Sequence, residues 1–227
     1  MWKREWFCEL RARLIAHWRL KLVGTTAIMS GFFWAYFQVL NHPQYPVTWM
    51  PLTALDWAVP FQPAALALYV SLWIYVPLAP ALLLERRELW SYAIATVGLA
   101  AIGLGIFYRW PTAVPRPEID WSLHAGFGLL KGVDASGNAC PSLHVAFAVL
   151  TAIWLERILR AMGGRWWVRA LNAAWSAGIV YSTLATRQHV ALDVYAGAAL
   201  GGGVAALQGW VMRRGRGAGE RRALNRD

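Results

Sequence analysis

Long apolar stretches alternate with short polar ones along this chain of 227 residues. A transmembrane helix needs roughly 20 predominantly apolar residues. Six stretches reach about that length, at residues 22–40, 63–84, 90–108, 144–163, 168–186 and 189–212. The fourth fits least well, because Glu156, Arg157 and Arg160 lie in its second half. We therefore predict an all-α polytopic membrane protein with a bundle of six transmembrane helices.

Two connections between these stretches are long and rich in proline or glycine. Residues 41–62 contain four prolines and no lysine or arginine, which indicates an extracytoplasmic loop, as a lid or a partly re-entrant segment. Residues 109–143 form the longest connection. Because long ordered loops commonly carry function, we expect functional residues in this connection.

Small residues cluster in the last apolar stretch, where Gly197, Gly201, Gly202 and Gly203 occur. Such a face lets two helix backbones approach closely. A second copy of the chain could use this face. We favour instead a contact with another helix of the same bundle.

Composition and charge agree with a location in a bilayer. Hydrophobic residues make up 58% of the chain and charged residues 15%. The net charge of +10 would indicate nucleic-acid binding in a soluble protein, but here the charges follow the topology, so no nucleic-acid partner is expected. With six spans, most of the Lys and Arg residues lie on one side, which the positive-inside rule assigns to the cytoplasm. The exceptions are Arg109, Arg116, Lys131 and Arg187.

This topology divides the chain into three segments. Residues 1–21 are a basic amphipathic segment on the cytoplasmic surface, residues 22–212 are the six-helix membrane catalytic domain, and residues 213–227 are a basic cytoplasmic tail. We expect an integral protein of a bacterial inner membrane with both termini in the cytoplasm. Apolar residues recur every four positions in the first segment, at Trp2, Trp6, Leu10, Leu14 and Trp18.

Two histidines introduce candidate chemistry on the extracytoplasmic side. On a helix, His189 and Asp193 share one face, where the carboxylate can fix the tautomer of the imidazole. His144 begins another apolar stretch, two residues after Ser142. Both motifs lie at predicted helix N-termini, where free backbone N–H groups favour an anion. Guanidinium groups bind phosphate well, and three are expected on the same face: Arg109, Arg116 and Arg187.

Three motifs occur in order between residues 105 and 205. They are Arg109 separated by six residues from Arg116-Pro117, then Pro141-Ser142-Leu143-His144, and finally His189 followed by Asp193. This order resembles the type 2 phosphatidic acid phosphatase superfamily. Its pattern has a basic residue, six others and Arg-Pro, then Pro-Ser-x-His, then a motif that ends in His-x-x-x-Asp.

The chain departs from the usual family pattern at four positions. Arg109 replaces a lysine, Leu143 replaces a glycine, and Thr183 stands where an arginine normally precedes the nucleophilic histidine. Arg187 instead lies two residues before that histidine. This variant is similar to the branch that includes inositol phosphorylceramide and sphingomyelin synthases, which are lipid phosphotransferases.

The resemblance implies a metal-independent reaction without a cofactor. His189 would attack phosphorus, Asp193 would orient it, and His144 would protonate the leaving alkoxide. We predict hydrolysis of a polyprenyl or glycerolipid phosphate or pyrophosphate through a phosphohistidine at the extracytoplasmic face. The residues implied to bind the phosphate are Arg109, Arg116, Ser142 and Arg187.

Four alternatives remain at this stage. The protein could transfer the phosphoryl-containing group to a second lipid acceptor, as the similar branch does. It could bind or transport a lipid phosphate without chemistry. Two histidines and an aspartate could hold zinc, although the surrounding arginines would repel a cation. Finally, the thiol of Cys140 could act as the nucleophile.

Overall fold

A computed structural model describes residues 2–115, 119, 127 and 137–224. The protein is mostly helical, as the hydrophobic pattern predicts. Its elements follow in the order α1 (Trp2–Ile15), α2 (Trp18–Asn41), β1 (Thr48–Trp49), α3 (Ala54–Ala58), α4 (Leu66–Val70), α5 (Leu72–Leu82), α6 (Arg86–Arg109), β2 (Thr112–Ala113), α7 (Leu143–Ala161), α8 (Trp166–Ala185) and α9 (Ala191–Leu224). A 3-10 turn at Pro63–Ala65 precedes α4.

Helices occupy all six predicted apolar stretches. Over the described ranges, three segments are long and apolar enough to cross a membrane, namely Trp18–Asn41, Pro63–Leu82 and Arg86–Arg109. The second of these is built from the 3-10 turn, α4 and α5 together. The helix α9 continues without a break to Leu224, so the basic segment after residue 212 extends the last helix. The total of six spans stays a prediction.

Helix α7 lies at the centre of the bundle and packs against α5, α6, α8 and α9. Its side chains Leu150, Trp154 and Ile158 are buried in the main hydrophobic core. Polar side chains also join the helices, since Tyr75 Oη donates to Asn172 Oδ1 over 2.6 Å and Asn172 Nδ2 donates to Ala152 O over 3.0 Å. In a low-dielectric interior such paired groups avoid the cost of buried, unsatisfied polar atoms.

Small residues let α7 and α9 approach closely. A Cβ atom added to Gly197 would lie too close to Ser142 O, and one added to Gly201 would lie too close to Ala146 O. Either distance is far shorter than a van der Waals contact. Gly197 and Gly201 therefore pack against α7 inside the bundle, as favoured from the sequence, whereas Gly202 and Gly203 face open space.

The N-terminal helix α1 contacts the opposite end of the bundle from the two histidines. Arg13 Nη1 of α1 donates to Leu82 O over 3.1 Å, and Lys21 Nζ of α2 donates both to Arg13 O over 2.6 Å and to Ala81 O over 2.8 Å. The Leu82 and Ala81 carbonyl groups are the ones at the end of α5, where cations interact favourably with the helix dipole. The location of α1 at a membrane surface stays a prediction.

Three connecting segments meet near the start of α7. Strand β1, from the 41–62 loop, pairs in parallel with β2. Ala139 N–H donates to Thr112 O over 3.2 Å, and Cys140 N–H donates to Thr112 Oγ1 over 2.8 Å. These contacts attach the 41–62 loop and the segment after α6 to the chain that enters the first turn of α7.

We predict that Gly201→Ala lowers the free energy of unfolding by about 1–3 kcal/mol, because the new methyl group meets the backbone of α7. Thermal unfolding of the purified protein in detergent measures this change. Gly203→Ala is the matched control, since a Cβ there meets nothing within 4 Å. Equal unfolding temperatures for the two variants would contradict the proposed close contact.

Candidate active site

His144 lies in the first turn of α7, two residues after the helix cap Ser142. Its Nε2 is 3.1 Å from Tyr69 O, and its ring stacks on the Tyr69 ring with centroids 4.0 Å apart. A carbonyl oxygen only accepts hydrogen bonds, so Nε2 carries the proton that it donates. Nδ1 is then the nitrogen left to exchange a proton with another group.

Ser142 caps α7 and also joins α7 to α9. Its Oγ accepts a hydrogen bond from Val145 N–H over 3.3 Å, and its own N–H donates to Asp193 O over 3.0 Å. The residue is fully buried. Its contacts therefore set the relative positions of the two histidine motifs, and its predicted contact with a phosphate stays a prediction.

His189 lies in the short connection before α9 and pairs with Asp193 one helical turn later. Its Nδ1 is 3.4 Å from Asp193 Oδ2, and the two side chains are 10% and 0% exposed. The same Oδ2 accepts Val190 N–H over 3.1 Å. Because a carboxylate accepts, Nδ1 carries the proton when the imidazole is neutral, and the lone pair is on Nε2. This is the tautomer that a nucleophile needs.

Both histidines line one cavity of about 250 Å³. The cavity is predominantly apolar and extends between α2, α5, α6 and α7 as far as Lys21. His144, His189 and Asn138 line the end of the cavity away from Lys21. Aromatic or aliphatic side chains form most of its wall. The geometry thus connects two candidate catalytic imidazoles to an apolar space within the helix bundle.

Arg187 contacts the 41–62 loop. It adopts a left-handed backbone conformation with φ of 58°. Its Nη1 donates to Asp56 O over 2.6 Å and its Nη2 donates to Val59 O over 2.9 Å. Both terminal nitrogens therefore bind backbone carbonyl groups, and the predicted contact of Arg187 with a phosphate stays untested.

Arg109 ends α6 and is exposed. Its Nη1 donates to Tyr45 Oη over 2.7 Å, and its guanidinium carbon is 5.3 Å from the centre of that ring. Arg116 and Lys131 lie outside the described residues. Of the three predicted phosphate-binding arginines, the structure thus gives contacts for Arg109 and Arg187, and both contacts are made to the 41–62 loop.

Asp56 is a buried residue that the sequence analysis did not single out. It is 2% exposed, its Oδ1 accepts Ala191 N–H over 2.8 Å, and its Oδ2 accepts Thr53 N–H over 2.7 Å. A local signal was available, because Thr53-x-x-Asp56 has the spacing of a helix capping box. The contact with Ala191, which is 135 residues away, had no such signal.

The N-terminus of α9 differs from the expected anion site. Val190 N–H donates to Asp193 Oδ2 and Ala191 N–H donates to Asp56 Oδ1, so carboxylates already bind these two groups. Two negative side chains at a helix N-terminus interact favourably with the helix dipole. A phosphate would therefore have to bind elsewhere in the site.

A metal site is a further possibility that the geometry addresses. In the part of the chain that the structure describes, there is no group of three or more His, Cys, Asp or Glu side chains arranged to hold a metal ion. His189 and Asp193 instead contact each other. Among the described residues, the arrangement does not resemble a zinc site, which takes three or four such ligands.

The family model of the PAP2 superfamily matches residues 88–216, which are more than half of the chain. The protein therefore belongs to the PAP2 superfamily, which confirms the resemblance to type 2 phosphatidic acid phosphatases. Members are phosphatases and phosphotransferases that act on phosphate-containing lipids, so the chain is assigned to a family of enzymes. No curated protein and no solved structure matches the chain. The similarity of this chain to the branch that includes sphingomyelin synthases stays a prediction.

Cys140 adjoins the site, but its thiol is held in the neutral form. Burial, together with the nearby Asp193 carboxylate, raises the pKa of Cys140 to about 11. Only a thiolate is a strong nucleophile. At neutral pH the thiol is therefore a poor candidate for covalent chemistry.

We predict that Cys140→Ala retains the turnover of the wild type. In the wild type, alkylation of Cys140 by iodoacetamide should be slow near neutral pH and should accelerate only as the pH approaches 11, because the thiolate then forms. Peptide mass spectrometry measures the modification, and the exposed Cys8 is an internal control for reagent access. Fast alkylation of Cys140 at neutral pH, or inactivity of Cys140→Ala, would reinstate the thiol as a candidate nucleophile.

Proposed function

We propose that this protein is an integral membrane lipid phosphate phosphatase. It hydrolyses a polyprenyl or glycerolipid phosphate or pyrophosphate through a phosphohistidine. The observation that carries this proposal is that His144 and His189 line the same apolar cavity. A phosphate at the histidines and a hydrocarbon chain in the cavity would satisfy both kinds of surface at once.

In the first step, His189 Nε2 attacks phosphorus while the bond to the leaving oxygen breaks. Asp193 accepts a hydrogen bond from Nδ1–H of His189 and stabilises the positively charged imidazole that forms. His144 gives a proton to the leaving alkoxide, and the Tyr69 carbonyl that binds Nε2 makes Nδ1 the proton-exchanging nitrogen. In the second step, water attacks phosphorus and loses a proton to His144. The bond between phosphorus and His189 Nε2 breaks, and inorganic phosphate is released.

Arginines supply the positive charge that the phosphate requires. Arg109 is exposed and donates to a tyrosine hydroxyl, a neutral partner that a phosphate oxygen would readily replace. Arg116 follows it in the family motif and takes the same role. Ser142 completes the set proposed to hold the phosphate. Arg187 supports the site by binding two carbonyl groups of the 41–62 loop.

The apolar cavity supports a lipid as the substrate. It extends from the histidines past Tyr36, Phe32 and Ile28 to Gly24 and Lys21 on α2. At 1.5 Å per residue, the distance from Tyr36 to Lys21 along the helix is about 22 Å. A long hydrocarbon chain fits such a space, whereas a small hydrophilic phosphate ester would leave it unused.

The arrangement of charges supports a site on the extracytoplasmic side of a six-span bundle. Residues from α1, the turn before α6, the end of α7 and α9 line a second cavity, with Arg13, Glu85, Arg157 and Met212 among them. Basic segments far apart in sequence therefore meet at one end, which the positive-inside rule assigns to the cytoplasm. The histidines lie at the other end of the same helices, and both termini are then cytoplasmic.

A lipid phosphotransferase is a second candidate because of one sequence feature. This feature is the variant motif, in which Pro-Ser-Leu-His occurs together with Arg187 close to His189 and Thr183 stands where the family normally has arginine. It is similar to the branch that includes inositol phosphorylceramide and sphingomyelin synthases. A transferase releases little phosphate until a second lipid offers a hydroxyl acceptor. Adding diacylglycerol or ceramide to the assay distinguishes the two reactions, since only a transferase then forms a new phospholipid.

We predict that the purified protein releases inorganic phosphate from at least one of phosphatidic acid, a polyprenyl phosphate and a polyprenyl pyrophosphate. His189→Ala should reduce this rate to background, and His144→Ala should reduce it by roughly 10²–10⁴-fold, the usual contribution of a general acid. With ³²P-labelled substrate, His144→Ala should accumulate an acid-labile label on His189. His42→Ala is the control, because this exposed histidine lies in the 41–62 loop. Wild-type turnover in His189→Ala would refute the covalent mechanism, and lipid binding without turnover in the wild type would favour a binder or transporter.

We also predict that Gly24→Leu reduces turnover of hexadecyl phosphate much more than turnover of hexyl phosphate. Gly24 lines the distant part of the cavity and a Cβ there meets nothing within 4 Å, so the new side chain would shorten the space for a long chain. Gly31→Leu is the matched control, since Gly31 is on the same helix with open space around it and does not line the cavity. Equal effects of the two substitutions on both esters would show that the cavity does not hold the substrate chain.

A further inference from the structure

The segment that carries His189 is attached to the 41–62 loop at several points. Ala185 O accepts Gln62 N–H over 2.8 Å, and Ala191 N–H donates to Asp56 Oδ1 over 2.8 Å. Between these two points, both Nη atoms of Arg187 donate to carbonyl groups of the loop. The connection between α8 and α9, with His189 in it, is therefore held on both sides by a single short stretch of the loop.

We propose that Asp56 is a positioning residue for His189. It acts through Ala191 N–H and through its own backbone carbonyl, which binds Arg187, and it does not contact the imidazole itself. This inference rests on the proposed function, because it concerns the geometry of the nucleophile in that reaction.

The buried carboxylate of Asp56 is fully used in this arrangement. Oδ2 accepts the N–H and the hydroxyl of Thr53, over 2.7 and 2.8 Å, which closes the first turn of α3. Oδ1 is then directed to Ala191, the first residue of α9. A buried carboxylate is costly unless its oxygens are paired, so α3 and the N-terminus of α9 stabilise each other.

Asp56 and Asp193 divide the beginning of α9 between them. Asp193 accepts Val190 N–H and faces His189, whereas Asp56 accepts the next N–H group, that of Ala191. Loss of Asp56 would free the first turn of α9 and would leave the 3.4 Å contact between His189 and Asp193 without its support. A small displacement of a reacting group, about 1 Å, is enough to lower a rate by roughly 100-fold.

Arg187 also attaches the connection between α8 and α9 to the loop. One planar guanidinium binds two carbonyl groups of the loop, those of Asp56 and Val59. Lysine at this position would carry the charge but could not reproduce the two parallel bonds. Asp56→Ala removes the bond to Ala191 N–H, whereas Arg187→Ala removes the bonds to the two carbonyl groups. Because both sets of bonds hold the same connection between α8 and α9, we expect the two substitutions to be non-additive.

The first test does not depend on turnover. Hydrogen–deuterium exchange of the purified protein in detergent should show faster exchange in the peptide covering residues 185–193 for Asp56→Ala than for the wild type. Asp56→Asn should show a smaller increase than Asp56→Ala, because its amide oxygen still accepts Ala191 N–H although its amide nitrogen cannot accept Thr53 N–H. Gln44→Ala is the loop control, since this exposed side chain donates only to His42 O. Unchanged exchange in Asp56→Ala would overturn the inference.

The second test measures kcat and KM for phosphatidic acid in mixed micelles. Asp56→Ala should lower kcat by about 100-fold with little change in KM, and Asp56→Asn should recover part of the loss through its bond to Ala191 N–H. Faster exchange with unchanged kcat would overturn the positioning role and leave Asp56 as a structural cap. Two further results together would overturn the inference: Asp56→Ala raises KM without lowering kcat, and the effects of Arg187→Ala and Asp56→Ala add. Arg187 would then act independently of Asp56, as a phosphate ligand.

If the wild type turns over no lipid phosphate, the proposed function fails, and the positioning of His189 is still measurable. The rate at which diethylpyrocarbonate modifies His189 then replaces kcat. A changed rate in Asp56→Ala, partly restored in Asp56→Asn, would support the inference, and identical rates in all three proteins would overturn it.

Discussion

The close approach of α7 and α9 is the contact on which the candidate site depends. Glycines at positions 197 and 201 remove the side chains that would meet the α7 backbone, and Ser142 N–H then reaches Asp193 O over 3.0 Å. This hydrogen bond joins the two histidine motifs, and Val145, Ala191 and Val194 from the same two helices share one buried apolar cluster.

Buried carboxylates are the second constraint, and they explain the order of the site. Asp56 and Asp193 are almost completely buried, and each accepts backbone N–H groups at the start of α9. Such groups stabilise a negative charge that solvent cannot reach. As a result, carboxylates bind Val190 N–H and Ala191 N–H at the N-terminus of α9.

The 41–62 loop is an integral part of the site. It contacts Arg109 through Tyr45, and it contacts Arg187 and Ala191 through the Asp56 region. It also pairs with the segment that follows α6. The loop therefore contacts Arg109 and holds the connection between α8 and α9 that carries His189.

The sequence by itself determined the helices, the family and the candidate histidines. Apolar stretches of sufficient length predict helices from local composition, and His189 with Asp193 lies within one helical turn, so the pair could be found from spacing. The partners of Arg187 and the role of Asp56 were decided only by the tertiary structure. Their contacts join residues 128 to 135 positions apart, and no local pattern encodes which backbone groups a folded loop will present to a distant side chain.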